Sequence, residues 1–321
     1  MIKKFVFLLV VVALFSCESK SETEREIEKI PVNVNVVRFD RKFANATPEN
    51  LPELKKDFPY LFPQQVPDSV WLAKINDTLQ KALNREVYEV FPNFESEKDE
   101  LYQLFQHLKY YFPQFSEPKV VTLTSDVDFR NRIIATDTLL LLSLDVYLGK
   151  DHEFYKGIYP YLRADFEPEL LISDVAEEYA KKYVPRPTDR SFLAKMIHWG
   201  KILYVKDLLL PSKADSLIIG YTKKQMEWAE DNQEEIWRYF VEKELLFSTD
   251  PDLRSRFIDV APYSKFYLKL DSESPPQLGR YIGWQIVKRF MKKADDISVK
   301  ELLSIDARSI FEKSNYKPEK K

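Results

Sequence analysis

Every strand signal in this chain falls before Gly149, and nearly every segment after it repeats its apolar residues at helical spacing. That segregation decides the fold class. Residues 32–40 alternate valine with polar side chains, and Val120-Val121-Thr122-Leu123-Thr124, Arg132-Ile133-Ile134-Ala135-Thr136 and Leu139-Leu140-Leu141-Leu142-Ser143-Leu144 form three further short runs. Asp137-Thr138 supplies a tight turn between the last two, and the leucine run is apolar enough to lie centrally in a sheet. Helical periodicity appears at 68–83 and 97–112, and an aromatic, proline-interrupted loop occupies 58–63. Beyond Gly149, Leu171, Val175, Tyr179 and Tyr183 make one ridge, and Phe192, Met196, Trp199 and Leu203 a second. Further ridges run along Met226, Ala229, Ile236 and Phe240, and along Ile282, Ile286 and Phe290. A small N-terminal sheet followed by a predominantly helical body is an α+β fold.

The chain contains only 6 glycines, all between Gly149 and Gly283, so neither a G-x-G-x-x-G turn nor a P-loop can be built. Lys and Arg total 48 against 51 Asp and Glu, a net charge of −3 that lacks the basic excess of a nucleic-acid-binding surface. No G-x-S-x-G elbow is present. His107, His152 and His198 lie far apart with no H-E-x-x-H, so no metal site and no cofactor follow from the histidines.

Residues 1–16 combine two lysines at positions 3 and 4 with an unbroken apolar run from Phe5 to Phe15, the pattern of a secretory signal. The run is too short to cross a hydrocarbon core of about 30 Å. Leu14-Phe15-Ser16-Cys17 has the form of a bacterial lipobox, which makes Cys17 the expected lipidation site. Acyl chains there, at about 0.8 kcal/mol per buried CH₂, tether the body to a membrane without a spanning helix. Cys17 is also the only cysteine, so no intrachain disulfide can form and stability must come from packing. The expected organisation is a signal peptide at 1–16, an acylated start and polar linker at 17–30, one α+β domain at 31–313 and a polar tail at 314–321.

Three groups of residues are candidates for a site. Asp145, Tyr147, Asp151 and His152 gather carboxylates, a phenol and an imidazole in a short loop after a strand, where function is often carried. The plainer alternative is that Gly149 makes a turn and Asp151 a cap. On the helix spanning 169–183, Asp174 and Glu178 share a face with Glu177 adjacent, but Lys181 and Lys182 follow Glu177 and Glu178 by four, the pattern of a solvated salt-bridge face. Gly279 and Gly283 lie four apart, so a neighbouring backbone can approach closely; helix docking is the first reading and a ligand against them the second.

The lipobox, the Leu144–Gly149 block LDVYLG, Met196 to Tyr204 (MIHWGKILY) and the block PPQLGRYIGWQIV beginning at Pro275 together resemble the gliding-motility lipoprotein family GldB, over about residues 32–293. The resemblance implies a lipoprotein, anchored at the outer membrane, that is needed for surface gliding and associated secretion, has no established enzymatic activity, and works beside other envelope proteins. That family is in turn similar to a zinc-metallopeptidase-like fold. Under that likeness Ser173, Asp174 and Glu177 stand where His, Glu and His are needed, and Trp199 where a ligand Glu precedes Gly200, which implies a peptidase-like scaffold without its metal. Two other functions stay open. One is a metal-dependent hydrolase with a rearranged site using Asp145, Asp151, His152 and Asp174; the other is a glycan- or peptide-binding lipoprotein using its aromatic residues.

Overall fold

The computed structural model describes residues 21–269, 271–294 and 296–318. The expected signal peptide at 1–16 and the expected lipidation site Cys17 lie outside the described residues. Four strands form one sheet in the order β1-β2-β4-β3: β1 is Val36–Arg38, β2 Lys119–Leu123, β3 Ile133–Ala135 and β4 Leu139–Ser143. β1, β2 and β4 run parallel, and β3 closes the edge as an antiparallel hairpin partner of β4. The leucine run therefore sits inside the sheet, as its apolarity demands, with Leu140 and Leu142 fully buried.

Parallel pairing needs crossovers, and residues 39–118 supply one in helices between β1 and β2. Both faces of the sheet are consequently covered. Val121 faces a small aromatic core of Phe39, Phe43, Phe58, Phe62 and Ile75, whereas its neighbour Val120 faces the main core. The expected helix at 68–83 is broken at Asp77, whose carboxylate caps a new helix by accepting from the Gln80 N–H at 2.8 Å, giving Asp68–Asn76 and Thr78–Val90. The next helix is Glu95–Tyr111. Within the aromatic loop, Phe58 and Phe62 anchor the chain in the small core.

The C-terminal body is helical, as the periodicity requires. Leu171–Tyr183 and Phe192–Leu209 bury the faces carrying Leu171, Val175 and Tyr179, and Phe192, Met196 and Leu203. Leu278–Lys293 packs against Phe192–Leu209 in the most extensive helix–helix contact among the described residues, where Gly200 and Gly283 let the two backbones meet. A methyl on Gly283 would lie 1.9 Å from the Met196 carbonyl oxygen, and one on Gly279 would lie 2.8 Å from that of Phe257. Both glycines thus sit in close helix docking.

Two expectations about the ends need correction. From residue 21 the segment expected as a linker is folded: Glu22–Ile27 is a helix capped by Ser21, Ile27 is buried, and Gln106 donates to the carbonyls of Glu28 and Ile30 at 3.0 Å each. Its apolar anchor, one isoleucine among charges, is too sparse to register as a pattern. At the other end Tyr316 is buried against Trp237 and accepts from Gln233, so the expected polar tail is packed at least that far.

Candidate functional site

The loop after β4 does not assemble its polar residues into one site. Asp145 is fully buried, and its carboxylate accepts from the Ser125 N–H at 3.0 Å to each oxygen and from the Val127 N–H at 2.7 Å. These bonds hold a turn in which Asp126 and Val127 both have positive φ. Burial pushes the Asp145 carboxyl up and the amide donors oppose it. Its role there is to brace a loop. Asp151 is exposed and pairs with Arg163 at 2.9 Å. His152 accepts from the Phe154 N–H at 3.3 Å and lies 3.5 Å from Glu86 on another helix. Gly149, at φ +100°, makes the turn.

Tyr147 points elsewhere, and it leads to a densely charged cleft. Its hydroxyl donates to Asp174 at 2.7 Å; Arg132, from the β3 edge, reaches Asp174 at 2.8 Å and Asp165 at 2.6 Å. One helical turn on, Glu177 is held by Lys181 at 2.8 Å and by Lys206 at 3.2 Å, and Lys206 is only 2% exposed. Trp199 and Arg280 complete the wall, the guanidinium lying over the indole 3.4 Å from the ring centroid. Phe129, Tyr161, Leu162, Ile219 and Val260 form an apolar rim around a cavity of about 350 Å³.

The expectation of a solvated salt-bridge face on the 169–183 helix is therefore corrected. Lys181 pairs with Glu177 and Glu178, but Lys182 leaves for Asp137, and Asp174 and Glu177 face an enclosed cleft because Lys206 and Arg132 arrive from other elements. Burial pushes the Asp174 carboxyl up to about 6, with Arg132 offsetting only part because that guanidinium is shared with Asp165. For Glu177 burial acts the same way, yet Lys181, Lys206 and Arg280 outweigh it and hold it well below the usual carboxylate range. Burial lowers the Arg280 guanidinium to about 10 against the pull of Glu177 and Asp259.

These residues do not suit a metal. Ser173 turns from the cleft and donates to the Leu217 carbonyl at 2.5 Å, while Asp174 and Glu177 are engaged by cationic side chains. Trp199 has no lone pair to offer. Among the described residues no three His, Cys, Asp or Glu side chains gather where they could hold an ion. The four residues of the hydrolase alternative are dispersed: Asp145 braces a loop, Asp151 and His152 make separate surface pairs, and only Asp174 is in the cleft.

Sequence reasoning named Asp174 and Glu177 with a solvated face as the favoured reading, named Trp199 only through the peptidase likeness, and missed Arg132, Lys206 and Arg280. The one local signal was charge on buried ridges, since Lys206 interrupts Ile202-Leu203-Tyr204-Val205 and Leu208-Leu209, and Arg280 sits between two docking glycines.

Compared with known proteins, the chain matches the model of one family, described as gliding motility protein GldB, over residues 20–318. No curated protein and no solved structure matches it.

Proposed function

Because the chain belongs to the gliding motility protein GldB family, we propose that it is a non-enzymatic cell-envelope lipoprotein. In this reading it is tethered through Cys17 at the outer membrane and supports gliding and associated secretion by contacts with other envelope proteins. The observation that carries the non-enzymatic part is the filling of the cleft by its own ion pairs. Where a peptidase-like scaffold needs a Lewis acid between donors, Lys206 and Lys181 neutralise Glu177, and Arg132 neutralises Asp174. A metal would have to displace ammonium and guanidinium groups that are already hydrogen-bonded in a poorly hydrated site, which costs several kcal/mol. No described helix is long and apolar enough to cross a membrane.

The test has two arms. Deleting the gene should abolish colony spreading, and a plasmid copy should restore it; unaffected spreading refutes the motility role. Protein purified without chelator should hold near-zero zinc by mass spectrometry, whereas one tightly held zinc per chain overturns the non-enzymatic reading and makes hydrolase assays the next step.

A further inference from the structure

Two cations of the cleft stay outside its ion pairs. Asp165 and Asp174 share Arg132, and Glu177 is shared by Lys181 and Lys206, whereas among the described residues Arg130 and Arg280 have no carboxylate within 4.0 Å. Arg130 is exposed at the mouth, and Arg280 stands in the wall. Its partners are neutral. The Nε–H donates to the Ile258 carbonyl at 2.6 Å, and Nη2 and Nη1 donate to the Gln277 amide oxygen at 3.0 and 3.3 Å with that amide correctly turned.

Those contacts fix the guanidinium. Nε is tied to backbone, one face is covered by Trp199, and the side chain springs from the first turn of a helix locked by Gly279 and Gly283. A guanidinium held in one orientation at the wall of a cleft, with one N–H left on each Nη after its neutral contacts, is placed to donate a charge-assisted hydrogen bond to a carboxylate oxygen. The ordering entropy that weakens most exposed arginine contacts has already been spent in folding.

We propose that this cleft binds the carboxylate of a peptide segment, seated on Arg280, with the adjoining residues of the peptide on the apolar rim. The rim favours a peptide, since Leu162, Ile219 and Val260 offer aliphatic contacts that suit apolar side chains, with Phe129 and Tyr161 beside them to pack on the same groups. The carboxylate is either a chain terminus or an acidic side chain. This inference rests on the reading of the cleft as a site of protein contact, and it supplies the chemistry of that contact.

The experiment is a calorimetric titration of the full-length lipoprotein in detergent with three probes: N-acetyl-Ala-Leu-Ala as free acid, the same peptide as its amide, and N-acetyl-Ala-Asp-Leu-amide. At least one acid should bind about tenfold or more tighter than the neutral amide, and whichever acid binds better identifies the source. Arg280→Gln should remove the preference and Arg280→Lys should restore only part of it. Equal binding of acid and amide, no binding at all, or a preference surviving in Arg280→Gln overturns the inference. If Arg280→Gln fails to fold, the acid-to-amide ratio on the native protein decides alone. Failure here leaves the spreading and zinc measurements untouched, whereas a zinc-bearing protein that still prefers acids fails the earlier reading only.

Discussion

Replacing Gly283 with alanine probes the contact on which the cleft is built. The added methyl would lie 1.9 Å from the Met196 carbonyl oxygen and 2.5 Å from its carbon. The shortfall from ordinary contact is roughly 1.5 Å, and the obstacle is helical backbone that cannot rotate away. The two helices must therefore part. A gap near 1 Å forfeits a quarter to a half of the dispersion energy of the atoms facing it, and the seam includes Met196, Ile197, Ile282, Ile286 and Val287, all buried. Overpacking costs about 1 to 3 kcal/mol, more when backbone is moved, while alanine regains about 1 kcal/mol of helix propensity. Because the clash is with backbone the cost lies at the top of that range or above it, and the expected net loss is about 2 kcal/mol or more, read as a lower urea midpoint. Gly157→Ala is the control, because nothing lies within 4 Å of a methyl there and its φ is not in the left-handed region; it should be neutral or stabilising by up to about 1 kcal/mol. If Gly283→Ala matches or exceeds the native midpoint, the helices are not in backbone contact and the argument for a rigidly held Arg280 goes with it.

Other expected outcomes bear on separate links. Cys17→Ser should move the protein from the membrane to the soluble fraction; full retention in membranes would exclude lipid on that cysteine as the anchor. Asp145→Ala strands the Ser125 and Val127 amides in a buried turn and should cost about 3 kcal/mol, checked by thermal unfolding; a change under about 0.5 kcal/mol would mean that the turn does not depend on the carboxylate. Asp174 titrates near 6 when folded against 3.8 when unfolded, so the folded state holds the extra proton in between, and this group's contribution to stability is lost as pH rises from about 4 to 6. Asp174→Asn should therefore gain on the native protein by up to about 3 kcal/mol across that window, a difference measured by urea unfolding at each pH; a constant offset would show that Asp174 is ionised throughout.

The parts of this fold that one segment can dictate were legible, and the parts that need two were not. Alternation and turn chemistry located all four strands, and the 3.6-residue ridges located the buried faces of the 171–183 and 192–209 helices, because each pattern is the signature of a single element meeting a core. The helix break at Asp77 and the docked helix at Glu22–Ile27 escaped, one because a capping carboxylate inside an apolar ridge looks like a surface residue, the other because its anchor is a single side chain. The cleft is the harder case. Its charges come from the β3 edge, the loop at Asp165 and three helices, spread from residue 132 to residue 280, and apart from Lys206 and Arg280 each one alone reads as solvated. A buried lysine must have a partner, so Lys206 on an apolar ridge already implied one. Lys201, on the same helix and equally out of pattern, shows why the implication stops there. Its ammonium donates to the carbonyls of Leu303 at 3.1 Å and Ile305 at 2.7 Å and thereby caps the Val299–Ser304 helix. Two lysines five residues apart thus satisfy the same physical demand, one with backbone and one with a carboxylate, and only the tertiary arrangement tells the brace from the cleft.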